Sequence, residues 1–234
     1  MNYQNSLQFA QEQDQKDELK SYRDQFYIPQ INGKDSIYFT GNSLGLQPKA
    51  TESYILQELE DWKNLGVEGH FEGKRPWFHY HKFLQEKAAK IVGAKNDEVV
   101  IMNSLTTNLH LMMVSFYRPT KTRFKIITEG GAFPSDQYAL ETQTKFHGFN
   151  PDDAIIELFP RDGEDNLRTE DIVAAIQEDS DSLALVMMGG VNYYTGQFFD
   201  LETITAEAHK ASAIAGFDLA HAAGNYPVKL HDWN

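Results

Sequence analysis

Short apolar runs alternate with amphipathic segments through the second half of the chain. An apolar run of about four to eight residues is typical of a buried strand, and apolar positions three and four residues apart are typical of a helix. Five runs are predicted to be strands: EVVIMN, FKIITEG, AIIELFP, LALVMMGG and FDLAHA. A segment with helical spacing lies between each strand and the next. This alternation predicts an α/β fold with a mainly parallel sheet.

Capping residues set the expected limits of two of these helices. Thr169 and Asp200 stand at the starts of TEDIVAAIQE and DLETITAEAHKASAIAG, where their side chains can accept hydrogen bonds from the first backbone N–H groups. Gly216 is expected to end the second helix, because glycine is favoured just after a helix.

The first 65 residues differ from this pattern. Residues 5–26 are polar with a thin apolar stripe, which predicts a surface helix. A short strand is predicted in SIYFTGNSLG and a helix in PKATESYILQELEDWKNLG. We therefore expect an N-terminal helical arm over residues 1–65 and one α/β domain over residues 66–234.

Composition narrows the possible function classes. The 234 residues carry a formal net charge of −13, which argues against nucleic acid as the main partner. The sequence has no cysteine, and therefore no disulfide, thiolate metal site or cysteine nucleophile. No segment approaches the ~20 apolar residues of a membrane span, and the N-terminus lacks the apolar core of a signal peptide. We expect a soluble, cytoplasmic protein.

Ligands of open α/β sheets bind where strands lead into helices. IMNSLTTN is one such junction, and its helix is expected to begin between Ser104 and Thr106. Free backbone N–H groups, the helix dipole and hydroxyl groups would meet there, which favours a phosphate group. The alternative is that Ser104 or Thr106 only caps the helix. The Gly-Lys-Ser/Thr pattern of ATP-binding loops is absent from the sequence.

The next junction, EGGAFPSDQY, combines an aromatic residue with residues that favour a helix start. Phe133 at a strand end could lay its ring on a flat ligand. Pro134 and Ser135 equally suit the first turn of a helix, where the dipole also favours Asp136. This segment alone does not decide between the two interpretations.

Asp218 lies in an otherwise apolar run, GFDLAHAAGN. A buried carboxylate needs a cation or several donors, because otherwise its pKa rises and it becomes neutral. A protonated heteroaromatic nitrogen would be a suitable partner. His221 could reach the same side if the strand ends near Ala220. The alternatives are a Lys or Arg partner for Asp218 and an ordinary core position for His221.

Other polar clusters are weaker candidates. A metal site built on His79 and His81 is not favoured, because their spacing suits ligands only on a strand. Lys74 and Arg75 could hold an anion, but such residues more often form surface ion pairs. No metal site is predicted.

Six stretches together resemble the kynureninase family, whose members are pyridoxal-phosphate enzymes of the aspartate-aminotransferase fold type, fold type I. They are YFTGNSLGLQPK, GHFEGKRPW, MNSLTTNLHLMM, AFPSDQYA, VNYYTGQFFD, and GFDLAHAAGN with the later LHDW. They follow the order and spacing of the family over nearly the whole chain. The resemblance implies that residues 66–234 form an incomplete large domain of this fold type.

The resemblance also implies a site for pyridoxal 5'-phosphate. Leu105 and Thr106 would hold its phosphate, and Phe133 would stack on its pyridine ring. Asp218 would pair with the pyridinium nitrogen and keep it protonated, so that the ring acts as an electron sink. The remaining implied contacts are Pro134, Ser135, Asp136 and His221 for the cofactor, and Ser43 and His70 for the substrate.

Two features depart from the family pattern. Gly189 stands where relatives often carry a Ser or Thr hydroxyl facing the cofactor. The lysine that forms the Schiff base with the cofactor is expected beyond Asn234, so no catalytic residue is expected within this chain. Lys229 matches no catalytic position and is expected to point into solvent. We therefore expect the N-terminal part of a longer enzyme, inactive alone.

The activity implied is that of a hydrolase acting on carbon–carbon bonds. A homodimer would cleave the Cβ–Cγ bond of L-kynurenine to anthranilate and L-alanine, or its 3-hydroxy analogue to 3-hydroxyanthranilate, in tryptophan catabolism and NAD biosynthesis. One alternative is another fold type I enzyme, such as a cysteine desulfurase or an aminotransferase, although GNSLGLQPK and GKRPW count against it. A second alternative is a non-catalytic fragment that dimerises or binds a ligand without turnover.

Overall fold

The computed structural model describes residues 3–234. The chain divides into two compact units, and the division falls between Tyr80 and His81. The sequence-based boundary between a helical arm and an α/β domain, at residues 65 and 66, stays a prediction.

The first unit is mostly helical. Its helices are α1 (Leu7–Lys16), α2 (Thr51–Leu65) and α3 (Gly69–Glu72), with 3-10 turns at Lys20–Gln25 and Gly66–Glu68. Two short strands, β1 (Gln30–Ile31) and β2 (Lys34–Asp35), pair antiparallel. Helix α1 buries no residue, which agrees with the predicted surface helix, and Gly66 ends α2 with a φ of 54°.

The strand predicted in SIYFTGNSLG does not form. Ile37 and Phe39 are 85% and 92% exposed, and no strand pairs with this segment in the described part of the first unit. A strand needs a hydrogen-bonded neighbour, so the apolar residues alone do not produce one.

The second unit is built on a parallel sheet. Strands β3 (Lys125–Glu129), β4 (Ile155–Leu158), β5 (Leu183–Gly189) and β6 (Ile214–Asp218) lie in the order β4-β3-β5-β6, and every pairing is parallel. The predicted α/β fold is confirmed. Ile126, Ile127 and Val186 are fully buried, as expected for strands covered on both faces.

Helices cover both faces of this sheet. They are α4 (Gln85–Val92), α5 (Leu105–Phe116), α6 (Pro134–Phe146), α7 (Pro151–Ala154), α8 (Thr169–Glu178), α9 (Leu201–Lys210) and α10 (Leu230–Trp233), with a 3-10 turn at Asn96–Glu98. A further 3-10 turn, Trp77–Lys82, includes the division between the two units. One apolar cluster joins Ile127 to residues of α8 and α9, and the other joins Ile126 to residues of α5 and α6. Because neighbouring strand residues point to opposite faces, the two clusters lie on opposite sides of the sheet.

Three sequence predictions in this unit are wrong. EVVIMN forms no strand, since Val100 remains 55% exposed and none of the described strands pairs with the segment. Helix α9 ends at Lys210 rather than at Gly216, because Ile214–Asp218 pairs with β5 instead. Thr169 is the first residue of α8 and not its cap, which is Arg168.

One other limit is confirmed. Asp200 caps α9, where its side chain accepts a hydrogen bond from the Thr203 backbone N–H at 3.1 Å. Gly93 follows α4 in the left-handed conformation. Within residues 3–234, no helix combines the length and the apolar character needed to cross a bilayer.

Candidate functional site

The carboxyl ends of three neighbouring strands bring polar groups to one edge of the sheet. Glu129 ends β3, Gly189 ends β5 and Asp218 ends β6, and Gly189 lies directly opposite Asp218 in the strand register. This edge is where an open α/β sheet binds its ligands.

Two carboxyl groups meet there. Asp136, in the first turn of α6, is 6% exposed, and its side chain is hydrogen-bonded to that of Asp218. Burial, together with this hydrogen bond and the charge of Asp218, raises the pKa of Asp136 to about 7. Asp136 therefore keeps its proton up to about neutral pH, and this proton lies in the hydrogen bond that the two side chains share. Asp218 also accepts a hydrogen bond from the Ala220 backbone N–H at 2.7 Å.

Asp218 has no basic partner among the described residues. Across residues 3–234, neither Asp136 nor Asp218 forms an ion pair with Lys, Arg or His. Within residues 3–234, no Lys or Arg side chain therefore neutralises Asp218. A pair of carboxyl groups with one shared proton is a suitable acceptor for an N–H donor that carries positive charge.

The start of α5 borders the same region. The helix begins at Leu105, within the predicted limits, and the side chain of its capping residue, Ser104, makes no capping hydrogen bond. The Ser104 and Thr107 hydroxyls instead lie 3.2 Å apart. Thr106 is exposed in the first turn, so a simple capping role for Ser104 or Thr106 is not observed. Leu105 and Asp218 line one cavity of about 750 Å³.

An aromatic residue stands at the start of α6, the helix that carries Asp136. Phe133 precedes Pro134, the first residue of α6, and is 49% exposed. Its ring meets the Tyr193 ring edge to face, with centroids 5.3 Å apart. The Tyr193 ring lies 6.5 Å from that of His221, which sits in the turn after β6. Ser135 is close too, and its hydroxyl donates to the Asp136 carboxyl at 3.3 Å.

Sequence reasoning missed Glu129 and Asn192. Glu129 is 5% exposed, and its carboxylate accepts hydrogen bonds from the Gly189 backbone N–H at 3.1 Å and from Asn192 Nδ2 at 2.8 Å. A Cβ atom at residue 189 would lie 2.7 Å from Glu129 Oε1. Gly189 is therefore explained by the carboxylate that occupies this space. The available signal was an acid at the end of an apolar strand, the same signal that singled out Asp218.

Ser43 and His70 lie in the first unit. The Ser43 backbone N–H donates to the Thr40 carbonyl at 3.0 Å in a turn. His70 is exposed on α3, and its ring meets the Trp77 ring edge to face at 5.4 Å. Trp77 is held in turn, since its Nε1 donates to Glu58 at 2.9 Å. Their meeting with the cofactor residues of the second unit stays a prediction.

The remaining candidates are Lys229 and a metal site. Lys229 is exposed, as predicted, and caps the short helix α10. In the part of the chain that the structure describes, no group of three or more His, Asp or Glu side chains is arranged to hold a metal ion.

Comparisons with known proteins find relatives along the whole chain. The chain is 58% identical to a kynureninase from Flavobacterium psychrophilum over all 234 residues, which cover 100% of this chain and 55% of that protein. It is 53% identical to a kynureninase from Nematostella vectensis over 241 residues, covering 98% of this chain and 52% of that protein. The chain thus spans about half the length of these curated relatives, and the predicted resemblance is confirmed.

Solved structures show the same fold. A cysteine desulfurase from Escherichia coli matches 91% of this chain and 51% of its own chain, with a TM-score of 0.64 and 18% identity. An apo cysteine desulfurase from Thermococcus onnurineus matches 83% of this chain and 47% of its own, with a TM-score of 0.62 and 22% identity. At such identities the likeness concerns the fold alone. The aminotransferase class-V family matches residues 37–234, and this chain belongs to that family.

Proposed function

We propose that this chain is the N-terminal part of a pyridoxal-phosphate-dependent hydrolase that cleaves the Cβ–Cγ bond of L-kynurenine or 3-hydroxykynurenine. The products would be L-alanine and anthranilate or 3-hydroxyanthranilate. Relatives named kynureninase, at 58% and 53% identity along essentially the whole chain, support this substrate. The observation that carries the proposal is the pair Asp136 and Asp218, which shares one proton at the edge of the sheet beside an exposed aromatic ring.

The residues present fit pyridoxal phosphate. A pyridinium N–H would supply the positive charge that the carboxyl pair lacks, and Asp218 is the residue proposed to accept it. The first turn of α5, at Leu105 and Thr106, would hold the phosphate, because its backbone N–H groups are not used by a capping side chain. The half-exposed Phe133 would lie against the ring. Pro134, Ser135, Asp136 and His221 complete the proposed set.

When bound, the cofactor supplies an electron sink next to the amine of the substrate. The chain's own contribution is binding, orientation and control of one proton. Asp218 would keep a proton on the ring nitrogen, and Asp136 would hold Asp218 in place through their hydrogen bond. Ser43 and His70 are proposed to contact the substrate.

The substitution Asp218→Asn tests this role in the complete enzyme. We expect the variant to bind pyridoxal phosphate but to lose about 100-fold or more in kcat, because an amide cannot hold the pyridinium proton by charge. Anthranilate fluorescence measures turnover, and cofactor absorbance measures binding. Asp232→Asn, at an exposed position on α10, is the control and should leave both unchanged. Near-normal turnover of Asp218→Asn would show that Asp218 has another partner.

A cysteine desulfurase or an aminotransferase remains the alternative within the fold type. Release of sulfide from cysteine by the complete enzyme, without release of anthranilate from kynurenine, would favour the former. A homodimer and a cytoplasmic location also belong to the proposal, and they follow from the resemblance alone.

A further inference from the structure

Glu129 is a buried acid whose role the cofactor contacts do not explain. It ends β3, is 5% exposed and makes no ion pair with any described residue. Both of its carboxylate oxygens accept hydrogen bonds, Oε1 from the Gly189 N–H and Oε2 from Asn192 Nδ2. Burying a carboxylate costs free energy unless hydrogen-bond donors satisfy it, so the fold has to keep both donors in place.

The amide of Asn192 has only one usable orientation. Its Oδ1 accepts hydrogen bonds from the backbone N–H groups of Tyr194 and Thr195, both at 2.9 Å. Turning the amide over would break both of these bonds and place an N–H group against two others. Nδ2 must therefore face Glu129, which needs an acceptor at Oε2. Since the backbone N–H of Gly189 needs an acceptor at Oε1, glutamine cannot replace Glu129 without setting two donors against each other.

Tyr193, the residue after Asn192, links the Asn192 side chain to the cofactor site. Tyr193 follows Asn192 directly, and its ring contacts Phe133 at 5.3 Å and His221 at 6.5 Å between centroids. The position of Tyr193 in the turn depends on Asn192. The Asn192 side chain donates to Glu129 and accepts a hydrogen bond from the backbone N–H of Tyr194, so the residues before and after Tyr193 are both held.

We propose that Glu129 is a positioning residue for the cofactor site: its carboxylate orients Asn192 and thereby places the Tyr193 ring against Phe133 and near His221. The cofactor part of this inference rests on the proposed function. Glu129 itself touches no reacting group in this assignment and acts through Asn192 and Tyr193.

A reversal of hydrogen-bond polarity tests the inference in the complete protein. Glu129→Gln sets two donors against each other, and Asn192→Asp sets two carboxylates against each other. In the double variant the new amide at position 129 would donate to the new carboxylate at position 192, while the amide oxygen still accepts from Gly189. The carboxylate oxygen that faces the turn keeps its two backbone donors. Glu157→Gln is the matched control, because Glu157 is exposed on the neighbouring strand β4.

Two measurements read out the position of the ring. Fluorine NMR of fluorotyrosine-labelled, cofactor-free protein reports the Tyr193 resonance, assigned with Tyr193→Phe. Titration with pyridoxal phosphate reports Kd. We expect Glu129→Gln to move the Tyr193 resonance and to weaken binding about ten-fold, the scale of one charge-assisted hydrogen bond. The double variant should restore both readouts, and Glu157→Gln should change neither.

Several results would overturn the inference. One is an unchanged Tyr193 resonance in Glu129→Gln. Another is a double variant that restores the melting temperature but neither the Tyr193 resonance nor the Kd for pyridoxal phosphate. If Glu129→Gln does not fold, Tyr193→Leu decides, since it removes the ring and leaves the Glu129 contacts intact. Unchanged cofactor binding in Tyr193→Leu contradicts the positioning role. If the unsubstituted protein does not bind pyridoxal phosphate, the proposed function fails, whereas the Tyr193 resonance still decides whether Glu129 positions this ring.

Discussion

At the scale of single residues, the shared proton of Asp136 and Asp218 determines how the site responds to pH. The folded protein raises the pKa of Asp136 from 3.8 to about 7, first through burial and then through Asp218. A cation bound at Asp218 would oppose the effects that the hydrogen bond and the charge of Asp218 have on Asp136. It would therefore lower the pKa of Asp136 again. Uptake of a positively charged ring below about pH 7 should therefore release a proton from this pair.

The same shift predicts how stability depends on pH. The folded state keeps a proton on Asp136 that the unfolded state loses from about pH 4 upwards, so stability falls as pH rises to about 7 and is level above it. Asp136→Asn keeps a hydrogen-bond donor toward Asp218 at every pH. We expect its melting temperature to exceed that of the cofactor-free parent by about 3 °C or more at pH 8, and the difference to vanish near pH 4.

Thermal unfolding measured from pH 4 to pH 8 checks this expectation. Asp162→Asn, at an exposed position, is the control and should follow the parent curve throughout. A constant offset between Asp136→Asn and the parent would contradict the shared proton.

Residue chemistry was partly visible in the sequence. Asp218 could be singled out because an acid in an apolar run needs a partner, but the partner itself comes from α6, far away in sequence. Glu129 carries the same signal at the end of KIITE, yet its role depends on Asn192, which only the folded turn brings near. Local sequence thus identifies residues that need partners, whereas tertiary structure selects the partners.

At the scale of elements, the helix caps give a direct test. Asp200→Ala should lower the free energy of unfolding by about 1 kcal/mol, because the Asp200 side chain satisfies the Thr203 backbone N–H at the start of α9. Thr169→Ala should change it by less than about 0.5 kcal/mol, because Thr169 does not cap α8. Urea unfolding measures both, and equal effects for the two variants would contradict this assignment.

Three of the five strands predicted in the second half of the chain formed, in FKIITEG, AIIELFP and LALVMMGG, whereas the limits of other elements depend on pairing that the sequence does not show. PSDQYALETQTKF forms α6, one of the helices predicted between successive strands, since a helix satisfies its hydrogen bonds within itself. FDLAHA was predicted to be a strand, but only Phe217 and Asp218 lie in β6, and the strand begins earlier at Ile214. Pairing with β5 determines where this strand begins and ends, and the periodicity of a single strand does not specify that pairing.

At the scale of the whole molecule, the alternation of strands and helices was enough to predict an α/β fold. The order β4-β3-β5-β6 was not predictable in this way, because the sequence of a single strand does not specify which strand it pairs with. The division at Tyr80 likewise follows from contacts rather than from a change in composition.

The 234-residue chain alone should not turn over kynurenine. Lys229 is exposed at the start of α10, and catalysis needs an amine held at the cofactor, since positioning contributes several kcal/mol to such chemistry. Borohydride reduction of the chain mixed with pyridoxal phosphate, followed by peptide mapping, should show no single specifically labelled lysine. Specific labelling together with release of anthranilate would contradict the fragment assignment. The longer kynureninase from Flavobacterium psychrophilum, a relative of this chain, is the positive control.

Strand β6 has a consequence for handling the protein. It is an outer strand of the described sheet, and the backbone groups along its outer side are paired with no strand in residues 3–234. The adjoining cavity is lined by apolar side chains, among them Met112, Phe116 and Ile214. An open edge of this kind is a template for β-sheet aggregation, because a second chain can add its own strand there. We therefore expect the yield of folded, isolated chain to fall as its concentration during folding rises.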